Sequence, residues 1–279
     1  MSGFIRRVLT AIVFVVVMVA GVYIHPYSFV VLFGLITGLS VWEYLNLALE
    51  ETKSRRDNYR KFLGLLLGVA PYVLVALHQL KLINSVEHYA WYATFLLFPF
   101  TFVAFIYELY TASKKPFANI GILLLGMVYI GIPFALLLLI GFFKDGFSPN
   151  IIFGLLLLTW VNDSGAYLVG SRIGKHKLFP RISPGKTWEG SAGGALITFF
   201  CAYILNLVFP DLRLSDWLFL ALIVTIFGSI GDLVESMLKR SLNIKDSGSL
   251  LPGHGGILDR FDAFIFLLPF AAAYLLLLD

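Results

Sequence analysis

Charged residues and cysteine are scarce in this sequence of 279 residues. Asp, Glu, Lys and Arg supply only 14% of the residues, whereas an ordinary soluble domain carries roughly 25%. The single cysteine, Cys201, cannot form an intrachain disulfide. The chain also lacks an internal repeat and a low-complexity tract. These shortages exclude a soluble domain of ordinary composition, a disulfide-stapled domain and a repeat array.

Apolar residues take the place of the missing charge, at 59% of the chain. Apolar runs of about 20 residues recur, and each is long enough to cross a bilayer as a helix. The sequence therefore predicts an all-α polytopic integral membrane protein with about nine transmembrane helices. The predicted spans are 5–24, 27–49, 62–80, 90–110, 117–143, 151–170, 190–209, 216–238 and 259–278.

The basic residues predict the orientation of these spans. With the N-terminus in the cytoplasm, eighteen of the 21 Lys and Arg residues lie on the cytoplasmic side. That bias follows the positive-inside rule and places the C-terminus outside. The loops 171–189 and 239–258 are then cytoplasmic. The pI of 9.1 reflects such loops rather than a nucleic-acid partner.

Acidic residues inside apolar spans are the first candidates for chemistry. Asp163, in the sixth span, would be costly to bury in a membrane without a partner. A metal ion or a base from another helix would remove that cost, so a functional site and a simple interhelical salt bridge are equal alternatives for this residue. Glu43 and Glu108 also lie in or near spans, where each is either functional, paired with a base or at the interface. The Gly-Ile-Pro sequence at 131–133 predicts a kink in the fifth span.

The loop 171–189 is rich in glycine and lysine, which suits contact with phosphate. It is not a Walker A loop, because the GxxxxGK[ST] spacing is absent. Half of its basic residues would equally serve as topology determinants. The glycines that follow it predict close packing of the next helix, and these are Gly190, Gly193 and Gly194.

The end of the eighth span carries a polar stripe. Asp232, Glu235 and Lys239 are spaced i, i+3 and i+7, so they share one helix face. Two carboxyl groups below a lysine suit a metal ion held beneath a phosphate chain. The alternative is a Glu235–Lys239 pair, which leaves Asp232 without a partner.

The stretch 236–262, SMLKRSLNIKDSGSLLPGHGGILDRFD, is the densest polar interval of the chain. Its Pro-Gly-His-Gly-Gly segment can form a tight loop that presents N–H groups and an imidazole to an anion. Asp259 and Asp262 share a face at the start of the ninth span, where capping alone would explain Asp259. Carboxylates without a Cys/His cluster favour Mg²⁺ over zinc.

This stretch resembles the signature of the phosphatidate cytidylyltransferases, the CDP-diacylglycerol synthases. Every position of that signature is filled: Ser236, Lys239, Arg240, Lys245, Asp246, His254, Gly255, Gly256, Asp259, Arg260 and Asp262. Asp163, the Gly174-Lys175 pair and the motif SPGKTWEG resemble a second region of the family. Gly185 departs from the pattern, because relatives often carry a second lysine before Lys186. The motifs cover about the last 120 residues.

The resemblance implies transfer of the cytidylyl group of CTP to phosphatidate, giving CDP-diacylglycerol and pyrophosphate. It also implies Mg²⁺, with room for a second cation, and a homodimer. The expected metal ligands are Asp163, Asp232, Asp246, Asp259 and Asp262. The expected catalytic residues are Asp232, Lys239, Lys245 and Asp246. The expected phosphate-binding residues are Lys175, Ser183, Lys186, Arg240, His254, Gly255, Gly256 and Arg260.

We expect residues 1–116 to form a lipid-facing scaffold and residues 117–279 to form the catalytic region. The expected location is the bacterial inner membrane, with the active site facing the cytoplasm. Two alternatives remain on the sequence alone. A CTP-dependent lipid kinase shares the metal and phosphate features, and an ion-coupled transporter also places carboxylates in helices, although transporters usually contain repeats.

Overall fold

We describe a computed structural model over residues 3–49, 55–81, 87–111, 113–143, 146–248 and 255–278. Within these ranges the chain is helical apart from one short β-hairpin and its connections. The α-helices are α1 Gly3–Tyr23, α2 Pro26–Ala48, α3 Arg55–Gln79, α4 Glu87–Thr111, α5 Pro116–Gly126, α6 Ile132–Gly141, α7 Pro149–Ile173, α8 Trp188–Val208, α9 Leu214–Ile223, α10 Ser229–Ser241 and α11 Leu258–Leu276. The hairpin consists of β1 Lys177–Phe179 and β2 Ser183–Thr187.

The helices confirm an all-α integral membrane protein in its main features. Over the described residues, six helices are long and apolar enough to cross a bilayer. Shorter apolar stretches lie at Val8–Tyr23 and Leu97–Thr111. Helix α11 has three charged residues among its first five, which reduces its apolar length. Helices thus cover each predicted span, but the count of nine crossings and the orientation of the termini stay predictions.

Two of these spans contain a π-helical turn. Met127–Gly131 connects α5 to α6, and Val224–Gly228 connects α9 to α10. Pro133 follows the first turn and has no N–H to donate, and its ring would crowd the carbonyl of Tyr129 in a regular helix. A wider turn relieves both constraints, so the irregularity predicted around Pro133 is a π-helical turn.

The chain divides into two compact units. The first comprises Met1–Leu139 and Asp246–Asp259, and the second comprises Ile140–Lys245 and Arg260–Asp279. These units are defined by packing, whereas the predicted division between residues 116 and 117 is functional and stays a prediction.

The first unit has a core of aromatic and aliphatic side chains. Phe29, Phe33 and Phe134 are fully buried there. Helix α3 packs closely against its neighbours through glycines. A Cβ atom on Gly68 would lie 2.6 Å from a Val41 methyl carbon, a distance that real Cβ contacts do not reach. Small residues at such crossings let the helix backbones approach each other, as is usual in membranes.

The second unit is centred on the α7–α8 crossing. A Cβ atom on Gly194 would lie 2.8 Å from the Asn162 carbonyl oxygen, and one on Gly190 would lie 2.8 Å from the Ala166 carbonyl oxygen. A Cβ atom on Gly193 would meet the Val169 side chain at 2.5 Å. The close packing predicted for these three glycines is therefore confirmed. It fixes the position of α7, which carries Asp163, against the start of α8.

Candidate functional site

The β-hairpin occupies the polar loop between α7 and α8, where the sequence predicted a loop without strands. Its strands pair antiparallel, with Lys177 opposite Thr187 and Phe179 opposite Ser183. The Thr187 hydroxyl accepts a hydrogen bond from the Gly190 amide at 3.1 Å and caps the N-terminus of α8. Strand β2 therefore leads directly into α8, and the cap fixes the last residues of β2 relative to the first turn of that helix.

Glu189 ties the start of the hairpin loop to the first turn of α8. Its carboxylate accepts hydrogen bonds from the backbone amides of Lys175 at 3.0 Å and His176 at 3.2 Å. It also contacts the His176 ring nitrogen Nδ1 at 2.5 Å. Three contacts to one exposed loop orient its backbone, while the Lys175 side chain stays exposed. Glu189 was not among the predicted site residues, although it stands in the motif SPGKTWEG.

Lys186 points from β2 to helix α10. Its ammonium group lies 2.6 Å from a carboxylate oxygen of Asp232 and also donates to the Ser229 carbonyl oxygen at 3.2 Å. The other Asp232 oxygen accepts from the Ser236 hydroxyl at 3.2 Å. In the sequence, the interpretation of Glu235 and Lys239 as a pair left Asp232 without a partner. The structure supplies Lys186 as that partner, from a segment more than forty residues earlier.

The Glu235–Lys239 pair, proposed as an alternative, is present along α10. The Lys239 ammonium group donates to a Glu235 carboxylate oxygen at 2.6 Å. The Glu235 side chain is fully buried, and that of Lys239 is 14% exposed. A buried carboxylate needs such a partner, since desolvation without one is costly. The Glu235–Lys239 pair therefore does not leave Asp232 unpartnered, because Asp232 contacts Lys186 while Lys239 contacts Glu235.

Carboxyl groups from three helices converge in the second unit. Asp262 of α11 lies close enough to Asp232, Glu235 and Asp163 for their charges to interact. Asp163 of α7 likewise interacts with the charges of Asp232 and Lys186. In the ranges that the structure describes, Asp163 forms no salt bridge with a basic side chain. The interhelical salt bridge considered for Asp163 is thus not found there.

Asp163 is exposed although it lies in the middle of an apolar helix. Ionisable side chains in transmembrane helices usually face the protein interior or a polar cavity rather than lipid. We therefore interpret its exposure as access to water. In the described part of the chain, no three acidic, histidine or cysteine side chains are arranged around a single point as metal ligands. The convergent carboxyl oxygens nevertheless have the donor chemistry that Mg²⁺ prefers, since this ion usually takes one or two carboxylates together with substrate phosphates.

The remaining basic candidates of the second unit, Arg240, Lys245 and Arg260, are exposed. The Arg240 guanidinium donates to the Ile182 carbonyl oxygen at 3.5 Å and to the Ile244 carbonyl oxygen at 3.4 Å. The first of these contacts joins the end of α10 to the hairpin connection, close to the predicted phosphate ligand Ser183. Arg240 is thereby brought to the same loop as Lys186.

In the first unit, Asp259 binds the backbone amides of two described residues that precede it. Its carboxylate accepts hydrogen bonds from the Ser247 amide at 3.1 and 2.9 Å and from the Gly256 amide at 2.8 Å. Gly255 has a φ of +81°, which only glycine adopts without strain. Asp246 precedes Ser247 and is exposed. His254, a predicted phosphate ligand, lies outside the described residues.

The chain is similar to known proteins over almost its whole length. The sequence profile of the cytidylyltransferase family matches residues 5–278. The chain belongs to the cytidylyltransferase family. The resemblance noted from the motifs is confirmed, and the match extends well beyond the motif region into the N-terminal helices.

Individual relatives carry a more specific name. The chain is 42% identical over 180 residues to a phosphatidate cytidylyltransferase of Staphylococcus aureus (strain COL), an alignment covering 62% of this chain and 65% of the relative. It is 45% identical over 168 residues to a phosphatidate cytidylyltransferase of Bacillus subtilis (strain 168), covering 59% and 61%. The aligned part thus spans somewhat less than two thirds of the length of these relatives.

Proposed function

We propose that this protein transfers the cytidylyl group of CTP to phosphatidate, giving CDP-diacylglycerol and pyrophosphate in phospholipid synthesis. The observation that carries the proposal is the cluster of the second unit, in which four carboxyl groups face two ammonium groups. The acidic members are Asp163, Asp232, Glu235 and Asp262, and the basic members are Lys186 and Lys239. The name of the bacterial relatives supports the same reaction.

The chemistry of the reaction fits such a site. A phosphate oxygen of phosphatidate attacks the α-phosphorus of CTP, and the bond from that phosphorus to the bridging oxygen of the β-phosphate breaks as pyrophosphate leaves. A phosphomonoester has a second pKa of about 6, so the nucleophile is largely dianionic at neutral pH and needs no strong general base. The main barrier is the approach of two anions, which positive charge must offset.

The proposed roles follow from this barrier. Lys239 and Lys245, with Asp232 and Asp246, would stand nearest the reacting groups. The side chains and amides proposed to hold phosphate groups are those of Lys175, Ser183, Lys186, Arg240, His254, Gly255, Gly256 and Arg260. Release of Lys186 from Asp232 would free an ammonium group for the triphosphate.

Mg²⁺ fits the donor chemistry of the acidic residues, and the proposed ligands are Asp163, Asp232, Asp246, Asp259 and Asp262. Bound Mg²⁺ would offset the charge of the triphosphate and of the leaving pyrophosphate. We also propose that the protein works as a homodimer in the bacterial inner membrane, with its active site open to the cytoplasm, where CTP is dissolved. The basic loops on the predicted cytoplasmic side support this orientation.

The direct test uses purified protein with phosphatidate vesicles and CTP labelled at the α- or the γ-phosphate. We expect α-label in the lipid product and γ-label in pyrophosphate. Entry of the γ-label into lipid would instead identify a lipid kinase and refute the proposal. Flux of substrate into protein-containing vesicles, without a covalent product, would identify a transporter.

Substitution of Asp246 tests the metal-dependent part of the site. We expect Asp246→Asn to reduce Mg²⁺-dependent formation of CDP-lipid by at least a hundredfold, with an unchanged melting temperature because the side chain is exposed. Asp211→Asn is the matched control, since Asp211 is exposed and contacts Asn150 at 3.0 Å, away from the motifs. Near-normal turnover of Asp246→Asn would show that Asp246 is not a catalytic residue.

A further inference from the structure

Glu43 is a buried acidic residue that the proposed reaction does not use. It lies in α2, and only 8% of its surface is exposed. The sequence left open whether Glu43 and Glu108 pair with a base. The structure gives the two residues different answers: Glu108 pairs with a base, the Arg60 guanidinium. Glu43 forms no salt bridge with a basic side chain in the ranges that the structure describes.

The partners of Glu43 come from the segment Asp246–Asp259 of the same compact unit. Its oxygen Oε2 accepts a hydrogen bond from the Leu258 amide at 2.9 Å and from the Ser247 hydroxyl at 3.4 Å. Leu258 is the first residue of α11, and the first amides of a helix have no partner within the helix. Glu43 therefore caps a helix that begins 215 residues later in the chain.

Two glycines of the segment leave room for this carboxyl group. A Cβ atom on Gly248 would lie 2.6 Å from Glu43 Oε1, and one on Gly256 would lie 2.5 Å from Glu43 Oε2. Both distances are shorter than a Cβ contact allows, so any larger residue would displace the carboxyl group. Gly256 belongs to the Pro-Gly-His-Gly-Gly motif, and its small size here is matched to Glu43.

Glu43 and Asp259 both accept hydrogen bonds from Ser247 and from a backbone amide at or just before the start of α11. Ser247 donates its hydroxyl to Glu43 and its amide to Asp259. At the other end, Glu43 binds the Leu258 amide while Asp259 binds the Gly256 amide. The two carboxyl groups thus join the residue after Asp246 to the beginning of α11. Removal of Glu43 would leave the buried Leu258 amide without its acceptor, and exchange of that amide with solvent should then become faster.

We propose that Glu43 is a positioning residue: from helix α2 it fixes Ser247 and the N-terminus of α11, and thereby orients Asp246 and Asp259. The effect on turnover rests on the proposed cytidylyl transfer. The effect on the segment itself does not, because the hydrogen bonds exist without substrate.

Hydrogen–deuterium exchange of the purified protein, in detergent and without substrate, tests the structural part. We expect Glu43→Ala to increase exchange of the Leu258 amide, which Glu43 accepts from, at least tenfold. Glu43→Gln retains an acceptor oxygen and should restore most of the lost protection. Glu108→Gln is the matched control, because it changes another buried acidic residue of the same unit and should leave exchange of the Leu258 amide unchanged.

Turnover tests the functional part. We expect Glu43→Ala to lower kcat at least tenfold while the KM for CTP changes less than threefold, and Glu43→Gln to recover most of kcat. Gly248→Ala offers a second route that keeps Glu43, and it should reproduce the faster exchange and the lower kcat. If Glu43→Ala does not fold, Gly248→Ala and Glu43→Gln still test the proposal.

Wild-type exchange at Leu258 in Glu43→Ala, or in Gly248→Ala if the former does not fold, would overturn the proposal. Faster exchange with unchanged kcat would also overturn it, since the segment would then move without affecting catalysis. If the wild-type protein formed no CDP-lipid at all, the proposed reaction would fail. The exchange measurement would still show whether Glu43 holds the segment in place.

Discussion

The contact between Lys186 and Asp232 joins the β-hairpin to helix α10, and it leads to a prediction about stability. At a separation of 2.6 Å, an effective dielectric constant of about 20 gives a raw attraction of about 6 kcal/mol. The two side chains are 23% and 34% exposed, so desolvation and lost side-chain freedom offset much of this attraction. We expect a net coupling of about 1–3 kcal/mol, as measured for neighbouring residues in other proteins.

The perturbation is a double-mutant cycle with Lys186→Met, Asp232→Asn and the double variant. Lys186→Met should be the more damaging single change, since it leaves the Asp232 carboxylate facing Asp163 and Asp262 without its ammonium partner. Asp232→Asn removes that repulsion together with the pair and should cost less. The double variant should therefore be about as stable as Asp232→Asn alone.

Thermal unfolding in mild detergent provides the assay. A change of 1 kcal/mol shifts the Tm by about 2–4 °C in a chain of this size, so Lys186→Met should lower it by about 4–8 °C. Lys175→Met is the matched control, because it removes an exposed lysine from the same loop. Losses that simply add, with a coupling below about 0.5 kcal/mol, would refute the reasoning and show that the pair does not stabilise the protein.

Two further changes test the packing of each unit by the same measurement. Arg60→Met should destabilise the protein by about 3–5 kcal/mol, because it leaves the Glu108 carboxylate, whose side chain is only 1% exposed, without its guanidinium; a shift within error would contradict this. Gly194→Leu should cost about 1–3 kcal/mol or more, since α7 backbone atoms leave no space for a side chain. Gly121→Leu is its control and should be nearly neutral, because a Cβ atom there would meet no atom of a neighbouring segment within 4 Å.

The sequence predicted the helices well because their signal is local. A run of about 20 apolar residues has few alternatives to a membrane helix, and the glycines at 190, 193 and 194 indicated the close α7–α8 crossing that the structure contains. The β-hairpin was not predicted, because its strands have only three and five residues and the longer one contains a proline and a glycine. Such short strands depend on the helices that flank them.

The partners of the acidic residues were harder to predict than the residues themselves. Helical spacing reveals a pair such as Glu235–Lys239, which lies within one helix. It cannot reveal that Lys186 meets Asp232 or that Glu43 caps α11, because those contacts join segments that are far apart in the chain. The signal available for Glu43 was only an acidic residue in an apolar span. Its role depends on which segment the fold brings against it.

Asp163 was given two interpretations by the sequence, and the structure bears on one of them, the salt bridge, while the metal site stays a prediction. A salt bridge requires a base close to the carboxylate, and the neighbouring Lys186 is engaged with Asp232 instead. Asp163 interacts with two acidic residues, Asp232 and Asp262, and with the charge of Lys186. Like charges in a membrane protein repel one another strongly unless a cation lies between them. A cluster with more carboxyl than ammonium groups therefore suits a site that fills with Mg²⁺ and nucleotide together. The same excess of acid would repel CTP alone, so metal and nucleotide should bind in a mutually dependent way.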